Sequence, residues 1–301
     1  MEQLGADIEY SGKEGFPPLK IFGGILQGGE IEIDGSVSSQ FISALLMVAP
    51  TMHNGLVIHF KGTIVSRPYI DMTIRIMERF HVYPVWDGNS LAVSNQHYLI
   101  DEEPEKQFRV EADWSAASYW YSMVALADEA DIFLPGLQKE SLQADSVCAL
   151  LFSFFGVTST FEEKGVRLTK NGSRPCAFAF DFEDCPDIVQ TLAVTAAALK
   201  VPTLFCGLNT LRLKETDRIE ALKSELAKIG VGFEEASRGL LEVKTFDGKG
   251  DSPINIKTFN DHRMAMAFAP LAIMYPGINI ENPDVVKKSY PGFWEEVKKM
   301  Y

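Results

Sequence analysis

Residues 185–208 read CPDIVQTLAVTAAALKVPTLFCGL. The stretch opens on polar groups, runs through about a dozen mostly apolar residues, crosses a short spacer and ends in TLFC, the pattern of a buried strand. Three other stretches share this layout: SSQFISALLMVAPTMHNGLVIHFKG at 38–62, WSAASYWYSMVALADEADIFLPGL at 114–137 and DHRMAMAFAPLAIMYPGINIENP at 261–283. The polar openings suit helix N-caps, and the bodies are apolar nearly all round, so each is expected to be a buried helix. LVIHF, DIFL and INI are the corresponding exit strands.

A more amphipathic helix follows in most copies. Thr73, Ile76, Met77 and Phe80 stand at i, i+3, i+4, i+7, as do Val147, Leu150, Leu151 and Phe154; Ile219, Leu222, Leu226 and Ile229 keep a similar stripe. These helices end in HV or GV, with Gly156 and Gly230 placed as C-caps, and pass into strands such as GVTSTF and GVGFEE. The repeat of helix, strand, helix and strands spans about 70–77 residues, in the range where repeats decide architecture. An α/β (α+β) fold of several similar units follows. MEQLGADIEY, at the start, matches only the tail of a second helix, so the sequence is expected to begin in mid-unit. The charged, Pro-containing DEEPEKQFR at 101–109 separates two copies and reads as a domain junction.

Of the 301 residues, 46% are hydrophobic and 23% charged, which argues against disorder, collagen or a coiled coil. The 28 Lys+Arg against 41 Asp+Glu leave a net charge of -13, so broad nucleic-acid binding is not expected; an anionic ligand needs a local island of positive charge. Cys148, Cys176, Cys185 and Cys206 are too scattered for a disulfide scaffold, and no CxxC or HExxH suggests a metal site. A reducing, cytoplasmic setting fits. The first residues lack the pattern of a secretory signal, and MAMAFAPLAIMYPGI, broken by Pro270 and Pro276, is too short for a membrane span.

KETDR, residues 214–218, puts Lys214 and Arg218 at i, i+4 in a helix opening, with Arg212 just upstream. Cations there oppose the helix dipole, which makes sense where an anion takes the free N–H groups and the basic side chains together. Glu215 is beside them to move a proton. The same residues also read as a solvated face with Asp217 and Glu220 as a capping pair. Arg263 in NDHRMAM repeats the pattern, while His262 alone reads first as a capping or packing histidine. Lys287 and Lys288 by themselves read as a solvent-facing pair. Ser38, Ser39 and Gln40 form either a neutral phosphate cradle or an N-cap. Ser66 and Arg67 are held by Pro68 in an extended entry to a helix. Asp187, after Pro186, either complements the helix dipole or is poised to accept a hydroxyl proton. The absence of GxGxxG, Walker and GxSxG patterns leaves nucleotide-cofactor and serine-hydrolase chemistry without support.

Taken together, GSVSSQFISALLM, SRPYID, VEADWSAASY, PDIVQTLAV, LKETDRIEAL, NDHRMAMAFA and KKSYPGFWE resemble the 5-enolpyruvylshikimate-3-phosphate synthase family in order and spacing across essentially the whole chain. The resemblance implies a two-domain enolpyruvyltransferase fold of βαβαββ-like units. An incomplete N-terminal-type domain is expected near 1–107, with about one and a half units, and a C-terminal-type domain of three units near 108–301. The implied reaction moves the carboxyvinyl group of phosphoenolpyruvate to the 5-hydroxyl of shikimate 3-phosphate and releases phosphate. It uses no metal or organic cofactor, and no nucleic acid or membrane partner is implied. The family is expected to be monomeric. Carried over by motif, Ser38, Ser39, Gln40, Ser66, Tyr69, Asp187 and Lys214 resemble shikimate 3-phosphate ligands, and Gln40, Arg218, Arg263 and Lys288 resemble the phosphoenolpyruvate clamp. Asp187 and Glu215 resemble the residues that hold the hydroxyl and move the proton. Thr210, Ala144 and Arg67 depart from common family residues. The family's first portion has no counterpart here, so this chain alone is expected to have little activity and to expose apolar faces that favour self-association. The alternatives are a UDP-amino-sugar enolpyruvyltransferase and a non-catalytic fragment or binding module.

Overall fold

A computed structural model describes residues 1–36, 38–100, 108–237, 239–245 and 253–300. The chain divides into two compact units, 1–109 and 110–301, and most of the junction expected at 101–109 lies outside the described residues.

In the first unit, a 3-10 turn ends on Gly5, whose φ of 93° closes it before the hairpin of β1 (Asp7–Tyr10) and β2 (Leu19–Phe22). There follow β3 (Gly29–Asp34), α1 (Ser39–Val48), β4 (Leu56–Lys61), α2 (Arg67–Glu78), β5 (Val85–Asp87) and β6 (Ser90–Val93). The sheet runs β3-β4-β6-β5, with β3 and β4 parallel and the other pairs antiparallel: one full βαβαββ copy. Its core joins Leu4, Ile42, Leu46, Ile58, Ile70 and Met77.

The second unit holds α3 (Trp114–Leu126), β7 (Asp131–Pro135), α4 (Cys148–Phe154), β8 (Val157–Glu162) and β9 (Gly165–Lys170). Next come β10 (Phe178–Asp181), α5 (Val189–Ala198), β11 (Thr203–Cys206), α6 (Arg218–Ala227), β12 (Val231–Ser237) and β13 (Leu240–Thr245). Last are β14 (Ile254–Ile256), α7 (His262–Phe268), β15 (Ile278–Ile280) and α8 (Phe293–Lys298). The order β10-β11-β13-β12, again parallel then antiparallel, repeats the first unit's sheet; β7-β9-β8 is antiparallel, and β14 and β15 form a parallel pair. Gly156 and Gly230 turn the chain after α4 and α6 at φ 84° and 76°, and a Cβ at Gly156 would come within 2.6 Å of the Ser173 carbonyl.

Helices α3, α5 and α7 pack on one another in the centre of the second unit. Every residue of α5 is buried, which a helix apolar all round requires. Two hydroxyl rungs, Ser118 to Thr191 at 3.0 Å and Ser122 to Thr195 at 2.7 Å, pair buried hydroxyls of α3 with those of α5.

Three expectations change. Helix α1 is buried only at Ser39, Ile42 and Leu46, with Phe41 68% and Met47 52% exposed. Among the described residues the first unit has no second helix of this kind to cover that side. In α4 the buried face is Cys148, Leu151 and Phe152, while Leu150 and Phe154 face out. The 3-10 turn Ala144–Val147 precedes α4, and its tighter winding shifts the phase of the stripe. In α2 the buried set is Ile70, Thr73, Ile74 and Met77, one turn earlier than the pattern from Thr73 to Phe80, because the helix ends at Glu78.

Candidate active site

In both units the chemically equipped residues sit where parallel strands end and helices begin, the usual place for ligands in α/β folds. In the second unit, β10 leads into the 3-10 turn Pro186–Ile188, which carries Asp187 ahead of α5. Strand β11 leads to Lys214, Glu215 and the start of α6, whose first residue is Arg218. Strand β14 leads to α7 and Arg263, and Lys288 ends the 3-10 turn Pro283–Lys288 after β15.

These six side chains converge. The Arg218 side chain, 2% exposed, donates through Nη1 to Asp187 Oδ1 at 3.1 Å, through Nη2 to Glu215 Oε2 at 3.0 Å and through Nε to Asp261 Oδ2 at 2.8 Å. Arg263 Nη2 lies 3.0 Å from the other Asp187 oxygen, and Lys214 Nζ lies 3.8 Å from Asp187 Oδ1. Lys288 Nζ donates to Glu215 Oε1 at 2.6 Å. Four cations thus meet three carboxylates inside a chain of net charge -13, the local island of positive charge that an anion would require.

Capping explains how cations are held at helix starts. Asp217 accepts from the N–H groups of Ile219 and Glu220 at 3.1 and 3.2 Å, and Asp261 Oδ1 accepts from Arg263 N–H at 2.8 Å. Each aspartate complements the dipole that its arginine opposes. Asp217 caps outward while Arg218 turns inward, and the Glu220 carboxylate meets Lys223 and Arg212 instead of completing a capping pair with Asp217. Arg212 does not join the cluster; it pairs with Asp217, Glu220 and Glu235 at the surface.

Burial by itself would raise the Asp187 carboxyl, but Arg263, Lys214 and Arg218 outweigh it and bring it down to about 2. Burial also opposes the Glu215 carboxylate, yet Lys288, a backbone N–H and Arg218 lower that group to about 2 as well. Burial and the nearby Arg263 push His262 below its ordinary value, against the pull of Asp261 and Glu215. The Tyr119 hydroxyl, fully buried near Arg263, is pushed up to about 12 by burial.

Asp261 is the residue that sequence reasoning missed. It is 0% exposed and joins the KETDR and DHRMAM segments through one carboxylate. Its only sequence signal was its place as the polar residue ahead of an apolar helix. A cavity of about 980 Å³ elsewhere in the second unit, lined by Trp120, Phe133 and Tyr290 among others, contains none of the charged cluster.

In the first unit, Ser38 caps α1 by accepting from Gln40 N–H at 3.4 Å; Ser39 is buried and Gln40 exposed. Ser66 precedes α2 with a left-handed φ of 53° and no side-chain cap bond, and Tyr69 sits half-buried in the first turn. Val65 N–H donates to the Gly35 carbonyl, which ties the two helix entries together, and Thr73 Oγ1 donates to Ser43 Oγ at 2.8 Å to tie the helices. Arg67 turns aside, its guanidinium 4.5 Å over the Trp86 ring and 3.6 Å from Asp71. This group is neutral and hydroxyl-rich, the second unit's ionic.

The sequence matches the family EPSP synthase (3-phosphoshikimate 1-carboxyvinyltransferase) over residues 1–297. A Bacteroides fragilis 3-phosphoshikimate 1-carboxyvinyltransferase is 48% identical over 305 residues, which take in 99% of this chain and 72% of the relative. A Haemophilus ducreyi protein of the same description is 34% identical over 303 residues, 100% of this chain and 68% of its own length. Among solved structures, an EPSP synthase from Acinetobacter baumannii superposes with a TM-score of 0.74 at 23% identity, covering 99% of this chain and 68% of the other. An enolpyruvyl transferase from Streptomyces tendae gives 0.66 at 16% identity, with 99% and 69% covered. These two structural likenesses speak for the fold.

Proposed function

Since this chain belongs to the EPSP synthase (3-phosphoshikimate 1-carboxyvinyltransferase) family, we propose that its charged cluster binds phosphoenolpyruvate and serves transfer of the carboxyvinyl group to the 5-hydroxyl of shikimate 3-phosphate. This is an enolpyruvyl transfer, a step of the shikimate pathway to aromatic amino acids. Phosphoenolpyruvate brings a phosphate of about −1.5 to −2 charge and a carboxylate, and Arg218, Arg263 and Lys288 form its clamp. Asp187 and Lys214 hold shikimate 3-phosphate, with Asp187 accepting the hydroxyl proton as the oxygen attacks. Glu215 moves the proton at the methylene carbon, first adding it and then removing it as phosphate leaves. Ser38, Ser39, Gln40 and Ser66 supply neutral donors to shikimate 3-phosphate, against whose ring Tyr69 packs, and Gln40 also binds phosphoenolpyruvate.

One observation carries this reading: Lys214, Arg218, Arg263 and Lys288 surround Asp187 and Glu215 at the ends of parallel strands. We place the reaction in the cytoplasm, a setting supported by four unpaired cysteines. Among the described residues no helix is long and apolar enough to cross a membrane.

The test is calorimetric titration of phosphoenolpyruvate together with shikimate-3-phosphate-dependent phosphate release. Arg263→Ala should weaken phosphoenolpyruvate binding by about 1.5–3 kcal/mol. In a complete enzyme of this family, Asp187→Ala and Glu215→Gln at these positions should each lower turnover about 10²–10⁴-fold. Unchanged affinity in the first variant and unchanged turnover in the other two would overturn the reading.

A further inference from the structure

Adding a proton to the methylene carbon requires Glu215 to carry one. The observed arrangement denies it that proton. A carboxyl that titrates at about 2 is protonated in only about one molecule in 10⁵ at pH 7. The charged and titratable groups facing Glu215 are Lys288 from the 3-10 turn after β15, Arg218 from α6 and His262 from α7.

The two cations that bond to it differ in freedom. Arg218 is 2% exposed, with its remaining nitrogens committed to Asp187 and Asp261, so it is fixed in place. The Lys288 side chain is 60% exposed and reaches Glu215 from the end of a 3-10 turn, on a flexible four-carbon stem. Its ammonium is also one of the groups assigned above to phosphoenolpyruvate. The ligand and Glu215 therefore compete for the same cation.

We propose that the Lys288–Glu215 ion pair is a latch: a phosphorylated carboxylate that claims the Lys288 ammonium releases the Glu215 carboxylate, which takes up a proton from water and becomes the acid for the addition step. The proposal rests on the enolpyruvyl-transfer reading. The proton balance is simple. One proton moves from solvent to Glu215 on binding, passes to the methylene carbon during addition, and a methyl proton returns to Glu215 on elimination. Such coupling keeps the acid unarmed until its substrate is seated. Lys288 then acts twice, as an anion ligand and as the group that sets the protonation state of Glu215.

The experiment uses the full 301-residue chain with ¹³C-labelled glutamate and follows the Glu215 carboxyl by NMR titration. Without added anion, Lys288→Met should raise its midpoint by at least about one pH unit, a tenfold change in the protonation equilibrium. Lys287→Met, which removes the exposed partner of Asp284, should leave it in place. An unmoved midpoint in Lys288→Met would show that Arg218 and the backbone hold Glu215 unaided, and would overturn the latch. Calorimetry with phosphoenolpyruvate at pH 6, in two buffers of different ionisation heat, supplies the second arm. The parent should take up more protons per ligand bound than Glu215→Gln. Equal proton uptake in the two proteins overturns the latch and leaves the transfer reading intact, because that reading is judged by affinity and turnover.

Discussion

Helices α3, α6 and α7 of the second unit start on a charged cap, and the helices of the first unit start on hydroxyls. Asp113, Asp217 and Asp261 cap α3, α6 and α7, each with a backbone bond between 2.8 and 3.1 Å, whereas Ser38 caps α1 at 3.4 Å and Ser66 enters α2 without a cap bond. Burial accounts for the Asp261 cap, which is 0% exposed, but not for Asp113, which is exposed. Around α7 the surroundings are closed enough that a charge must be paired, and the Arg218 guanidinium with its three carboxylates is the result. At α1, where Phe41 and Met47 are exposed, the Ser38 hydroxyl caps the helix without an ionic lattice.

The sharpest way to break this comparison is Arg218→Ala. It strands Asp187, Glu215 and Asp261 without their shared partner and should cost about 3–5 kcal/mol of stability, the usual price of an uncompensated buried charge. Arg212→Ala, at the surface, should cost less than about 1 kcal/mol. Urea denaturation of both variants decides it, and equal losses would mean that burial does not separate the two sites.

Acid probes the same lattice. Asp187 titrates at about 2 in the folded chain against an ordinary 3.8, and Glu215 at about 2 against 4.5. Folded values below unfolded ones mean a stabilisation that is complete above about pH 4.5 and drains away as pH falls toward 2. For Asp187 the amount is about 2 kcal/mol. Stability measured at pH 5 and pH 2.5 should drop in the parent, and by less in Asp187→Asn.

Smaller effects come from the caps. Asp113→Ala, which removes bonds of 2.8 and 3.2 Å, should cost about 1 kcal/mol, and Ser38→Ala, which removes one bond of 3.4 Å, about 0.5 kcal/mol. The reverse order in thermal melts would contradict the contrast between the units. Least of all, Phe41→Ser should change stability by no more than about 0.5 kcal/mol, since the ring is 68% exposed. A loss above about 2 kcal/mol would show that Phe41 is covered in solution.

Much of this was legible in one dimension. The apolar runs from Val189 to Ala198 and from Trp114 to Leu126 could be stable only as buried helices, because a surface helix needs a polar face. The strand runs, the turn glycines at 156 and 230 and the odd cations at helix openings were also local facts. Asp261, Arg212 and the stripe of α4 were not. Lys214, Arg212 and Arg218 lie within seven residues of one another, and nothing in their types says which turns inward. The phase of a helix settles that, and the phase depends on a preceding 3-10 turn or cap that periodicity does not resolve.

The sequence by itself therefore determined the elements, their repeating order and the stock of charges, since propensity, patterning and capping act over a few residues. Tertiary structure decided the pairings. Arg218 meets Asp187 across 31 positions and Asp261 across 43, and Lys288 meets Glu215 across 73. Such contacts exist only once β10, β11, β14 and β15 have delivered their helix starts to one place, because charge pairing depends on distance in space and on the loss of water around it.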